Sequence, residues 1–250
     1  MSGNEEESQP IVLGGEDRDE FLEDTFEEAK GLLSPLKDSY PYLNWNSLEK
    51  LKISYAGIDS LAEYHEKENI VLVRTSVRKE KDEKELETAL IPEMLKAVLT
   101  IPNMNQLYEE LYEGINSLLA EEVCSVNQLK FESPEQIQYS VWVCQMLEHV
   151  LGQENFLYLS YNGYLMAVID EYTVDNYGTL LFDAIGVANM SSMGHEEYDE
   201  AMLVAQDIVV HFAKNYAEAT ISDPARKAEL LRSIESQLML RRRYFENILL

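Results

Sequence analysis

The chain has 250 residues, with 46 acidic and 20 basic side chains, for a formal net charge of −26. An apolar share of 46%, with tyrosine abundant at 15 residues, is enough for a sizeable core and excludes global disorder. The acidic surplus repels phosphate backbones, so no nucleic-acid partner is expected. The same surplus suits solubility or high salt, or display to a basic protein partner.

Residues 1–18 are polar and acidic apart from Ile11, Val12 and Leu13, and are expected to form a mobile acidic arm. The start at Met1 carries no basic run followed by an apolar run, so no secretion signal is expected there. No apolar stretch reaches membrane-spanning length, so no membrane partner is expected either. Cys124 and Cys144 are the two cysteines, both in apolar, helix-like surroundings. They are expected as buried thiols in a reducing compartment, which makes the cytoplasm the expected location.

From Asp19 to Leu33, Phe21, Leu22, Phe26, Ala29, Leu32 and Leu33 recur at helical spacing, and Ser34-Pro35 is expected to end that helix. Tyr40 to Trp45 reads as an aromatic loop. Leu48 to Tyr55 fits a short helix or a strand, with Ile53 to Ile58 favouring strand. Ile70, Val71, Leu72, Val73 and Val77 mark the clearest strand, and Ser60 to His65 is its candidate partner.

Leu86, Leu90, Met94, Ala97, Val98 and Ile101 mark a helix that Pro102-Asn103 breaks. Leu107, Leu111, Ile115, Leu118 and Leu119 mark the next. Ser133-Pro134 starts another, which runs to Leu151 and stops at Gly152. Shorter helices are predicted near Gln153–Tyr161, Gly163–Glu171 and Gly178–Val187. A long one is predicted over His195–Ala219, and Ser222-Asp223-Pro224 starts the last.

One order of elements is distinctive. Tyr64-His65-Glu66-Lys67-Glu68-Asn69 leads into the strand at 70–77. A charged connection follows, then a helix containing Pro92-Glu93-Met94-Leu95-Lys96. After a break comes a helix containing Tyr112-Glu113-Gly114-Ile115. This order resembles the gluzincin type of zincin metallopeptidase, over about residues 48–190. In that family an edge strand precedes the helix bearing HExxH, and the following helix supplies a glutamate as third zinc ligand. Histidines four apart share a helix face and can hold one zinc, whose bound water the intervening glutamate polarises.

The resemblance places the general-base position at Glu93 and the third-ligand position at Glu113. It places the two histidine positions at Pro92 and Lys96. Proline offers no donor atom, and a lysine ammonium must lose its proton before it can bind metal. One remaining carboxylate cannot hold a catalytic zinc, so neither metal nor cofactor is expected. Lys96 is expected to pair with Glu93 or Glu113 where the metal would sit. Pro92 removes a helix hydrogen bond, so the helix is expected to kink or begin there.

The expected fold class is therefore α+β and predominantly helical. It comprises a zincin-like domain over 19–221, with a small N-terminal sheet and a helical C-terminal part, and a C-terminal amphipathic helix over 222–250. The expected function is that of a non-catalytic pseudo-metallopeptidase with a structural or protein-binding role. Two alternatives stand beside it: an active metallopeptidase with atypical ligands based on Glu93, and an unrelated helical protein-interaction domain.

Other candidates carry less chemistry. His195-Glu196-Glu197-Tyr198-Asp199 imitates HExxH, but its acidic residues suit a helix N-terminus. Asp207 and His211, four apart on a helix, fit a local ion pair. His149 is expected as a hydrogen-bonded core histidine, and His65 has no evident second ligand. Arg241-Arg242-Arg243 is the one basic cluster, on a helix expected to fold back on the domain or to enter a partner's groove.

Overall fold

A computed structural model describes residues 20–77, 83–100, 109–134, 137–174, 176–190 and 196–248. The expected arm at 1–18, the break at Pro102-Asn103 and His195 lie outside these residues. Among the described residues the fold is α+β and predominantly helical, with one three-stranded sheet. Two compact units are present. The first comprises 1–100 with 119–132, and the second 101–118 with 133–250.

In the first unit, α1 (Glu20–Leu32) buries Leu22, Phe26 and Ala29 at helical spacing. Pro35 does not end helical structure as expected. It stands at the start of a second helix, α2 (Ser34–Ser39), because a residue lacking an N–H is tolerated in a first turn, where that group has no partner anyway. The aromatic stretch after it leads into α3 (Trp45–Glu49), and the Trp45 indole N–H donates to the Tyr40 carbonyl at 2.8 Å.

Strands β1 (Lys52–Ala56), β2 (Ala62–His65) and β3 (Ile70–Arg74) form the sheet in the order β1-β3-β2. β1 pairs parallel to β3, with Ser54 opposite Leu72. β2 pairs antiparallel, with Tyr64 opposite Val71. The segment at 70–77, expected as an edge strand, is the central one. Val71, Leu72 and Val73 are all fully buried, so both faces of β3 are covered, as its unbroken apolar run requires. The edge beside the following helix is β2.

That helix, α4 (Glu83–Leu99), packs against α1, α3, β2 and β3. Leu86, Leu90, Ile91, Met94, Leu95 and Val98 are its buried side. It continues through Pro92 rather than beginning there. The proline costs the helix one hydrogen bond, and an interior proline is worth roughly 3 kcal/mol against alanine. Burial of the flanking residues offsets that: Ile91, Met94 and Leu95 are wholly inaccessible.

α5 (Glu109–Val126) contributes its first part to the second unit and its last part to the first. The second unit continues with α6 (Gln138–Leu151), α7 (Gln153–Tyr161), α8 (Leu165–Tyr172), α9 (Tyr177–Met190), α10 (Glu196–Thr220) and α11 (Pro224–Ile248). α10 is the centre of this unit and packs on α6, α8, α9 and α11.

Two helix crossings in it depend on glycine. A Cβ on Gly114 of α5 would stand 2.8 Å from the Ser140 carbonyl of α6 and from the Cys144 sulfur. A Cβ on Gly178 of α9 would stand 2.8 Å from the Met166 carbonyl oxygen of α8. Asp223 caps α11 as its sequence implies, accepting from the Ala225 N–H at 2.9 Å.

Candidate functional site

The family-like positions in the first unit lie on the less buried side of α4. Pro92, Glu93, Lys96 and Thr100 are all partly exposed, while their neighbours along the helix are buried. The Lys96 ammonium lies 3.0 Å from Glu93 Oε1 and 3.3 Å from Oε2. The two carboxylate oxygens thus share one cation three residues further along the helix.

Glu93 holds a second partner. Its Oε2 accepts the Tyr64 backbone N–H at 2.7 Å. The register explains why that group is available. The Arg74 N–H donates to the Leu61 carbonyl, and Ala62 to His65 pair with Val73 to Ile70. In an antiparallel ladder alternate residues point their N–H groups inward, so Leu61, Glu63 and His65 face β3. Ala62 and Tyr64 therefore face outward, and α4 packs there. Glu93 gives the Tyr64 N–H, on the open edge of the sheet, a charge-assisted acceptor.

Tyr64 is tied down at both ends. Its hydroxyl donates to Asn69 Oδ1 at 3.1 Å, an oxygen that also accepts the Ser47 hydroxyl at 3.2 Å. Asn69 Nδ2 donates back to the Ser47 carbonyl at 3.0 Å. Asn69 has a φ of 47°, a left-handed conformation that asparagine tolerates better than most residues and that lets the chain turn from β2 into β3. Burial pushes the Tyr64 phenol pKa up, and the facing Thr100 and Ser47 hydroxyls work the other way.

The structure therefore brings Glu93 and Lys96 into one ion pair and adds a partner that the sequence did not suggest. Tyr64 lies 29 residues before Glu93, and it bonds through its backbone, which carries no residue-type signal. Pro92 presents only a hydrocarbon ring to this surface. Glu113 is partly buried in the first part of α5, in the second unit. Chemically, a carboxylate whose oxygens are engaged by an ammonium and a strand N–H is poorly placed to act on a water molecule.

The remaining candidates are dispersed. His65 closes β2, with its Nε2 3.1 Å from Glu63 Oε1. His149 is exposed on α6, not a core residue. It falls on the outer side of a helix whose inner side is filled by Trp142, Met146, Leu147 and Val150. Asp207 and His211 line an open groove between α9 and α10, where the His211 ring meets the Tyr177 ring edge-on at 6.1 Å. Among the described residues no group of three or more His, Cys, Asp or Glu side chains is placed to hold a metal ion. Among the same residues no helix is long and apolar enough to cross a membrane.

Cys124 and Cys144 are free and buried. Burial raises the Cys124 thiol to about 11, with the Glu87 carboxylate adding to the effect, and raises Cys144 well above the ordinary thiol range. Neither is a nucleophile near neutral pH.

No family model, no curated protein and no solved structure matches this chain.

Proposed function

We propose that the chain is a non-catalytic, zincin-like protein whose role is structural or protein-binding. The observation that carries this reading is the Lys96–Glu93–Tyr64 N–H arrangement. In a working site of the resembled type, the glutamate faces a metal-bound water and the helix lies beside an antiparallel edge strand. Here α4 lies beside antiparallel β2, and the glutamate position is taken up by an ammonium and a strand N–H. A cation three residues on supplies positive charge where the metal would, without a vacant coordination site for water.

Metal titration of three purified proteins tests the reading: the native chain, Glu113→Ala, and Pro92→His/Lys96→His. The expected result is no zinc retained by the native chain after dialysis. The double variant should retain zinc by elemental analysis, because histidines four apart on one helix face can share one ion. Stoichiometric zinc in the native chain, abolished by Glu113→Ala, would establish instead an active metallopeptidase with atypical ligands. A folded double variant that retains no zinc would leave an unrelated helical interaction domain.

A further inference from the structure

The second unit carries an apolar surface on two packed helices. On α9, Leu180, Val187 and Met190 are exposed, and on the adjacent α10 so are Leu203 and Val204. These four branched aliphatics and a methionine, 37–83% exposed, exceed the scattered single residues that a surface ordinarily shows. Between the helices runs an open groove of about 490 Å³, lined by Tyr177, Leu180, Val204, Asp207, His211 and Lys214 among others.

Charge sets this groove apart. The chain carries a net charge of −26, so most approaches between two copies are repulsive. Among the groove's lining residues Asp207 is balanced by Lys214, with His211 between them. All three are exposed, and steps of four and three residues put them in line on one face of α10. Along that line the order runs from acid to base.

This order selects the occupant. An all-basic helix in the groove would oppose Lys214, and an all-acidic one would oppose Asp207. An antiparallel copy of the same face satisfies both, because in a two-fold contact residue i meets j while j meets i. Pairing centred between Asp207 and His211 sets each Asp207 against the partner's His211, one turn from the partner's Lys214. A parallel pairing would set like against like, at a cost. The antiparallel arrangement also separates the exposed acids at the start of α10, Glu196, Glu197 and Glu200. At 1.5 Å per residue the two Glu200 positions would stand roughly 27 Å apart along the helices, well beyond a Debye length of about 8 Å. Glu218, which this register brings opposite Glu200, already holds the Lys227 ammonium at 2.6 Å. Asp183 stands on α9, to the side of this line.

We infer that two copies of this chain associate by two-fold, antiparallel pairing of α10 on α10, covering Leu180, Leu203 and Val204 and setting Asp207 of each copy against His211 and Lys214 of the other. The inference is independent of the zincin-like reading, which rests on Glu93 and Lys96 in the other unit.

Light scattering coupled to size exclusion, run on the full chain at increasing micromolar concentrations, tests it. The native chain is expected at twice its mass of 28.7 kDa. Leu203→Glu/Val204→Glu is expected as a monomer. Asp207→Lys alone and Lys214→Asp alone each put like charges opposite one another in both halves of the contact, and each is expected as a monomer. Mixed in equal amounts these two single variants are expected to pair, since every reversed charge then meets an opposite one. All the altered positions are exposed, so circular dichroism should show the helical signal retained. A native chain that is monomeric at every concentration overturns the inference. So does a dimer that survives Leu203→Glu/Val204→Glu or either single reversal, which would place the contact elsewhere, and so does a mixture of the single variants that stays monomeric.

Discussion

The Lys96 ammonium lies 3.0 Å from Glu93 Oε1, and the carboxylate passes that contact on to the β2 edge through the Tyr64 N–H. The Glu93 side chain is 13% exposed and that of Lys96 28%, so this is not a fully solvated helix pair. Exposed pairs at this spacing contribute about 0.3–0.5 kcal/mol. Here removal of Lys96 leaves a half-buried carboxylate with one partner fewer. Lys96→Met is therefore expected to destabilise by about 1–2 kcal/mol in urea unfolding. In a double-mutant cycle with Glu93→Gln, the coupling should be about 1 kcal/mol. A coupling near zero would show that the pair is only a surface contact.

Glycine substitutions should split in sign. At Gly114 a methyl group meets the Ser140 backbone, which cannot move aside without shifting α6, so Gly114→Ala is expected to lower stability by about 1–3 kcal/mol. Gly31, in α1, has nothing within 4 Å of its Cβ position. There the alanine only reduces the freedom of the unfolded chain, and Gly31→Ala is expected to raise stability by about 0.5–1 kcal/mol. Thermal unfolding of both variants checks this, and two shifts in the same direction would contradict the crossing described for α5 and α6.

Asn69 separates conformational strain from hydrogen bonding. Asn69→Gly keeps the positive φ at no steric cost but loses the bonds to Ser47 and Tyr64. Asn69→Ala loses the same bonds and is strained as well. Alanine is therefore expected to be worse than glycine by about 1 kcal/mol. Equal unfolding midpoints would mean that the turn relaxes out of the left-handed region.

Thiol titration should show two cysteines that react only after unfolding. With Cys124 at about 11 rather than the ordinary 9.0, its thiolate fraction at pH 8 falls roughly 100-fold before access is considered. A folded-state pKa above the unfolded one means that the folded chain holds its proton longer. This contribution to stability is complete below about pH 9 and is lost as pH rises towards about 11. Native protein should modify slowly with a disulfide reagent at pH 8, and two equivalents should react at once in denaturant. Immediate modification of Cys124 in the native protein would count against its burial.

Much of the helical framework was legible in the sequence, for a definite reason. Apolar spacing at 3.6 residues, with Gly152 and Asp223-Pro224 as punctuation, is local information, and α7, α10 and α11 lie within a residue or two of where that spacing puts them, whereas α6 stops at Leu151 as expected but begins at Gln138, beyond the Ser133-Pro134 expected to start it. The strand at Ile70–Arg74 was equally plain from its run of branched aliphatics. Its place in the sheet was not, because strand order depends on which segments cover its two sides. Likewise Pro35 read as a stop, since the same residue serves at the end of one helix and the start of the next.

What the sequence determined by itself was chemical: the residue types at Pro92, Glu93, Lys96 and Glu113, which leave no histidine pair to hold a metal. What tertiary structure decided was partnership. A lysine and a glutamate three apart on a helix meet only if their rotamers are held. An edge-strand N–H reaches that glutamate only when β2, on the outer side of β3, packs against α4. Contacts of this kind span distant parts of the chain and depend on burial and register, neither of which is written in the identity of any one residue.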